Sequence, residues 1–471
     1  MARRSGLPLP LTPIRRILYP FERFLQIEAS GGILLLAAAV VALIWANLPH
    51  GAESYQNLWD THAGVTVGGF TLNLSLAHWI NDSLMGVFFF VVGLEIKREI
   101  MVGELRQPRQ AVLPIAAAVG GMIVPAAIYL AFNAGGPGND GWGIPMATDI
   151  AFTIGVMALV GASAPMPLKI FITALAIADD LGAVLVIALF YTGSLNWTAL
   201  LVAILLWLIM IILNWLGVRA PGVYLAVGTL LWITLLDSGL HATLAGVLGA
   251  LAIPAHRQID GQQFLARIRH YLRHFEAAGE TGPSILPNPD QQNALEGMET
   301  VLGAAQSPMA RLEHAMLPWV MYLVMPLFAL ANAGVTLVAT DAGGPHLSLG
   351  AMLLQPVSLG VAIGLFLGKP IGILAVCWLV VRTGLGAMPR DVGWGTLIGG
   401  ASLAGIGFTM SLFIANLGLD SAILLAEAKV GFLAGSLASG IAGSLILSFA
   451  GARHGRSRGP SGPYADRPTG S

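Results

Sequence analysis

About twelve apolar stretches, most close to the length of a bilayer crossing, constrain this chain more than any other feature. A helix needs about 20 apolar residues to cross the hydrocarbon, where only helices and closed barrels satisfy their own backbone. The stretches lie near 29–48, 79–96, 111–132, 143–161, 170–192, 196–216, 221–236 and 239–254, then near 315–338, 356–381, 394–417 and 422–449. The chain is 56% hydrophobic and 10% charged over 471 residues, whereas a soluble protein carries about 25% charged residues. No soluble core absorbs that much apolar surface. The fold class read from this is an all-α polytopic membrane protein with about twelve transmembrane helices. A soluble enzyme, a secreted scaffold and a single-span receptor are excluded. One cysteine, Cys377, excludes a disulfide framework within the chain.

Charge sorting orients the spans. Of 24 Lys and Arg, Lys369 and Lys429 fall within spans, and the other 22 fall on one side. Arg3, Arg4, Arg15, Arg16 and Arg23 precede the first span, and Lys97, Arg98, Arg106 and Arg109 follow the second. The positive-inside rule places both termini in the cytoplasm, with an even number of spans. The run from Gly31 to Trp45 is long enough to span, so it reads as a crossing and not as a cleaved leader. Residues 10–28 read as an amphipathic interfacial helix.

Three segments lie outside the spans. Alternation around Gly68-Gly69 predicts a short hairpin over 62–75. Residues 255–312 form a polar insert with two helical patterns, one through Phe264, Ile268, Leu272 and Phe275 and one from about Gln291 to Gln306. Pro283, Pro287 and Pro289 mark the break between them. The tail at 453–471 reads as disordered.

Charge at bilayer depth costs at least about 2.5–3.5 kcal/mol per residue, so each such residue needs a partner, a cavity or a function. Asp179-Asp180 stands between Ala174-Leu175-Ala176-Ile177-Ala178 and Leu181-Gly182, in the middle of the fifth span. Two neighbouring buried carboxylates resist joint ionisation, so the pair holds either protons or a hard, oxygen-seeking cation. Thr148 and Asp149 follow Gly141-Trp142-Gly143-Ile144-Pro145, which makes the fourth span a poor continuous helix. They read as oxygen ligands or charge compensation at a break, or Asp149 as an N-cap. Lys369, in Gly368-Lys369-Pro370, needs a carboxylate partner, for which Asp179 or Asp180 is the natural choice, or must lose its proton. Glu95, Arg98 and Glu99 share one face at the end of the second span. Glu313 and His314 begin the ninth span on the same side, and the five form a candidate titrating cluster. Asp82 reads as a cap, and Glu427 and Lys429 as interfacial.

Spans three to five (105–192) and ten to twelve (355–450) echo each other. Gly141-Trp142-Gly143 opens the fourth span, and Gly393-Trp394-Gly395 opens the eleventh, which continues into Gly405-Ile406-Gly407. Interrupted segments at matching positions of two halves point to a transporter site, and the starting sides make this repeat an inverted one.

The chain resembles the NhaA family of bacterial sodium/proton antiporters. The strings that carry the resemblance begin with Trp79-Ile80-Asn81-Asp82, Gly93-Leu94-Glu95-Ile96-Lys97-Arg98-Glu99 and Ala147-Thr148-Asp149-Ile150-Ala151-Phe152. They continue with Asp179-Asp180-Leu181-Gly182-Ala183, His241-Ala242-Thr243-Leu244-Ala245-Gly246, Gly368-Lys369-Pro370 and Gly405-Ile406-Gly407-Phe408-Thr409-Met410-Ser411. They occur in family order over roughly residues 15–450. The resemblance implies two crossing interrupted helices supported by Asp149, cation binding at Asp180, and Asp179 paired with Lys369. It implies pH sensing at Glu95, Arg98, Glu99, Glu313 and His314, and a homodimer contact through the 62–75 hairpin. Two features depart from the family: Leu317 precedes Pro318 where members often carry a second histidine, and the 255–312 insert is longer than in compact members.

The expected activity is electrogenic exchange of Na⁺ or Li⁺ for protons across the inner membrane, serving pH and sodium homeostasis, with no cofactor and no nucleic-acid partner. A membrane-embedded enzyme would need a nucleophile with its base, or a metal-ligand cluster, at depth. The sequence offers isolated histidines and one cysteine. A passive cation channel is the other alternative, and coupling between the two gradients separates it from an antiporter.

Overall fold

The computed structural model describes residues 30–67, 70–279, 288–335 and 349–457. The expected interfacial helix at 10–28 lies outside them. In chain order the helices are α1 (Ser30–Asn47), α2 (Gly51–Asp60), α3 (Leu76–Val102), α4 (Pro108–Asn133), α5 (Ile150–Val160), α6 (Met166–Phe190), α7 (Trp197–Trp215) and α8 (Pro221–Ser238). They continue with α9 (Leu244–Ala252), α10 (Gly261–Ala277), α11 (Pro289–Ala305), α12 (Pro308–Asn332), α13 (Pro356–Arg382), α14 (Trp394–Ala404), α15 (Phe408–Gly418) and α16 (Ala422–Ser457). The hairpin pairs β1 (His62–Val67) with β2 (Phe70–Ser75) antiparallel, His62 opposite Ser75.

Among the described residues nine helices are long and apolar enough to cross a bilayer, or ten if the bent pair α14–α15 counts as one. This is fewer than the twelve expected. At the fourth position, residues 144–149 hold no helix and α5 supplies only 11 residues. At the eighth, Gly239 ends α8 in the left-handed region (φ 84°), and α9 has 9 residues before Pro254. Glycine and proline shorten both segments below a full crossing. The tail expected to be disordered from 453 begins as helix, because α16 runs to Ser457. The insert holds its two expected helices as α10 and α11, with Asn288 capping the second and Pro289 in its first turn.

Residue contacts divide the chain into two compact units. One comprises Met1–Asn57, Arg109–Ala183 and Ala329–Ser471, and the other Leu58–Pro108 and Val184–Phe328. In the first, α4 and α13 meet backbone to backbone. A Cβ on Gly372 would lie 2.1 Å from the Gly120 carbonyl oxygen, and one on Gly120 2.4 Å from that of Gly372. Glycine alone permits this approach, which is the small-residue packing used between membrane helices.

In the second unit, α3 packs on α9, and Leu94, Met210, Tyr224, Leu231, Leu235 and Ala250 are buried at its core. Helix α7 is apolar yet leaves Leu201, Leu205, Ile212 and Trp215 exposed. Such a face is stable against lipid and not against water.

Candidate ion-binding site

Two helix breaks in the first unit build the site. The first precedes α5, where Asp149 sits in extended conformation and Oδ1 accepts from Phe152 N at 2.9 Å. The second lies between α14 and α15, whose axes bend by 44° across Gly405-Ile406-Gly407. The breaks bind each other. Asp149 N donates to Ile406 O at 2.7 Å. Thr148 Oγ1 donates to Ala404 O at 2.9 Å, and Thr153 Oγ1 to Leu403 O at 3.1 Å. Ser411 Oγ donates to Ile144 O at 2.8 Å.

Electrostatics explains why an aspartate stands at this crossing. A helix N-terminus exposes unsatisfied N–H groups and carries about half a positive charge. Asp149 caps α5, and its Oδ2 accepts from Thr409 N at 3.2 Å and Thr409 Oγ1 at 2.5 Å in the first turn of α15. One fully buried carboxylate thus compensates two helix N-termini. Ser436 Oγ on α16 accepts from Gly407 N and Phe408 N, each at 3.2 Å, and completes the cap. The carbonyls at the end of α14 are covered from the other break by the hydroxyls of Thr148 and Thr153.

Helix α6 brings the paired carboxylates to this crossing. Asp179, Asp180 and Lys369 are all fully buried. Of the two partners open to Lys369 in the sequence, the structure pairs it with Asp179: Nζ donates to Asp179 Oδ2 at 2.7 Å. The same ammonium donates to Met146 O in the first break, and Asp179 Oδ2 also accepts from Thr148 N at 2.8 Å. Asp179 Oδ1 has no hydrogen bond among the described residues. Lys369 directly follows a π-helical turn, Gly364–Gly368, in α13. A wider turn of this kind shifts the phase of the residues after it and is frequent at functional sites. The site therefore unites Thr148, Asp149, Asp179 and Lys369, with Asp180 buried next to Asp179 on α6. Sequence reasoning gave no role to Thr409, although it stands in a string that carries the resemblance, nor to Ser436, whose only signal was the Gly405–Gly407 break, which requires a cap.

The second unit holds the other candidate cluster. Arg98 Nη2 lies 3.7 Å from Glu95 Oε1 and 3.5 Å from Glu99 Oε1, and Nη1 donates to Glu313 Oε1. Glu313 is buried, and its Oε2 has no hydrogen bond among the described residues. His314 does not join the four. It is exposed, and its Nδ1 lies 2.9 Å from Ala310 O of its own helix. Asp82 lies inside a π-helical turn, Trp79–Leu84, instead of capping a helix end. Glu427 is buried and Lys429 half-buried, both within the first turns of α16.

Apolar helices broken around buried, compensated charge form the kind of site that transporters use. The family model described as Na+/H+ antiporter 1 matches residues 22–447. The Na(+)/H(+) antiporter NhaA of Oleidesulfovibrio alaskensis is 49% identical over 435 residues, covering 92% of this chain and 95% of that protein. The NhaA of Koribacter versatilis is 46% identical, covering 92% of each chain. The NhaA 2 of Syntrophotalea carbinolica is 48% identical, covering 92% of this chain and 97% of its own. The chain belongs to the Na+/H+ antiporter family that its sequence resembles, and it exchanges sodium ions for protons.

Proposed function

We propose that exchange takes place at Asp179 and Asp180, which alternate between protonated and cation-bound states. The observation that carries this reading is the fully buried Asp179 carboxylate. It shares one oxygen between Lys369 Nζ and Thr148 N and leaves the other without a hydrogen bond among the described residues. One ammonium beside two carboxylates leaves the site one net negative charge, which a monovalent cation or a proton neutralises. An oxygen-only donor set suits Na⁺ and equally Li⁺. Thr148 and Asp149 hold the breaks while the interrupted helices rock around the site. If two protons leave for each Na⁺ bound, two positive charges move against one and transport is electrogenic. If Lys369 carries one of those protons, the stoichiometry is the same.

The wider setting follows from the charge sorting and the two breaks. The protein lies in the inner membrane with both termini cytoplasmic and lipid around α7. Residues 105–192 and 355–450 are inverted repeats, each contributing one break. Glu95, Arg98, Glu99 and Glu313 tune the response to cytoplasmic pH, with His314 beside them, and the β1–β2 hairpin pairs two copies in a homodimer. The activity serves sodium and pH homeostasis.

The test uses sealed vesicles. A sodium gradient should drive protons uphill, and Asp180→Asn should abolish this while the protein still inserts, because Asn supplies neither charge nor proton. Dissipation of both gradients without uphill movement would indicate a channel. Retained coupling in Asp180→Asn would remove the assignment.

A further inference from the structure

Lys97, next to the hub Arg98 on α3, takes no part in the acidic cluster itself. Its ammonium donates to Leu251 O at 2.6 Å and Ile253 O at 2.5 Å, at the end of α9. The last carbonyls of a helix lack internal partners and carry partial negative charge. Two side chains of α7 cover the rest of this end: Trp207 Nε1 donates to Leu248 O, and Asn214 Nδ2 to Ala252 O, both at 2.9 Å. The helices leave little slack. A Cβ on Gly93, one turn before Lys97, would lie 2.8 Å from Ala250 Cβ.

The contact closes a ring. Beyond Ile253, Pro254 O accepts from Met309 N at 3.2 Å in the first turn of α12. One turn further along α12 is Glu313, which receives the Arg98 guanidinium. Lys97 and Arg98 thus clasp the end of α9 and the start of α12 from neighbouring positions of α3. We propose that Lys97 is a positioning residue for Na⁺/H⁺ exchange, holding the acidic cluster in register and adding a positive charge beside it, so that the pH response of transport depends on its ammonium.

This rests on the reading that the cluster tunes the pH response. The charged and titratable groups around it are Glu95, Arg98 and Glu99 on α3, Glu104 and Arg106 in the turn that follows it, where Glu104 N donates to Glu99 Oε2 at 3.1 Å, and Arg311, Glu313 and His314 on α12. His256, Arg257 and Asp260 lie in the segment after α9, whereas α7 and α9 contain none. Three carboxylates thus face a small number of cations. Removing one cation favours their protonated forms, so a transporter that activates as they ionise needs a higher pH.

Exchange by Lys97→Met in proteoliposomes should reach half its maximal rate about half a pH unit above the wild type. Lys97→Arg, which keeps the charge and the donors, should restore the wild-type profile. Asn214→Leu removes a neutral donor from the same helix end. It should lower the melting temperature in detergent without moving the profile. Glu313→Gln, measured alongside, should move it. A Lys97→Met profile that overlays the wild type while Glu313→Gln shifts would overturn this inference and leave the cluster reading standing. Unchanged profiles in both would remove the cluster reading and this inference with it. An equal shift in Asn214→Leu would assign the effect to the helix end and overturn the role of the charge.

Discussion

Lys369 and Asp179 are each worth little in the membrane without the other. Both are fully buried, and their link is 2.7 Å long. Removing one partner of a buried pair costs about 3–5 kcal/mol, because the remaining charge stays desolvated, whereas replacing both with apolar groups is often neutral. Lys369→Met and Asp179→Leu should each lower the melting temperature in detergent, and the double variant should recover most of the loss while exchanging nothing. Additive losses in that cycle would show that the two do not act as a pair. The charges themselves were legible, because hydropathy around Asp179, Asp180 and Lys369 leaves no interface for them. Which aspartate receives Lys369 was not. Adjacent helix positions point about 100° apart, and only the placement of Met146 and Thr148 selects Asp179. Lys97 was illegible for a related reason: a lysine at a span end looks like a positive-inside marker until α9 ends beneath it.

At the scale of elements, the two breaks depend on each other. Asp149 serves as N-cap to α5 and as partner to Thr409 in α15, so the capping and functional readings of the sequence describe one carboxylate. Thr409→Val removes the Oγ1 donor and leaves Asp149 Oδ2 with the Thr409 backbone N–H. It should cost about 1–3 kcal/mol, the penalty for an under-satisfied buried acceptor, and slow exchange. Thr383→Val is the comparison, since its hydroxyl bonds only within its own helix, to Leu379 O and Val380 O. Equal stability and equal rates in the two variants would mean that the crossing does not depend on this bond. Gly141-Trp142-Gly143-Ile144-Pro145 and Gly405-Ile406-Gly407 announced where helices fail. They did not announce lengths, and this is why twelve apolar stretches yield nine full crossings, or ten with the bent pair, among the described residues. Hydropathy counts apolar residues, whereas backbone hydrogen bonds at Gly and Pro decide whether they form one helix.

At the scale of the molecule, a single set of carboxylates serving both substrates makes sodium and protons exclude each other thermodynamically. Proton occupancy then weakens apparent Na⁺ affinity as pH falls, without any separate sensor. If both protons must leave before Na⁺ binds, apparent KM on the acidic side should rise by about two decades per pH unit; a single competing proton gives about one. Saturating Na⁺ should restore most of the rate at moderately acidic pH. The Arg98 cluster acts differently. On the proposed reading, protonating Glu95, Glu99 or Glu313 closes a gate and so lowers the maximal rate at any Na⁺ concentration. Leu317 stands where a second histidine is common in the family, and His314 Nδ1 lies against Ala310 O of its own helix instead of the Arg98 cluster. Competition at the aspartates is therefore expected to dominate the pH dependence of apparent Na⁺ affinity. Na⁺ titrations of exchange in vesicles at several pH values decide the matter. A KM that rises with acidity is the expected result, and a constant KM with a falling maximal rate would refute competition and leave pH control to Arg98 and its glutamates alone.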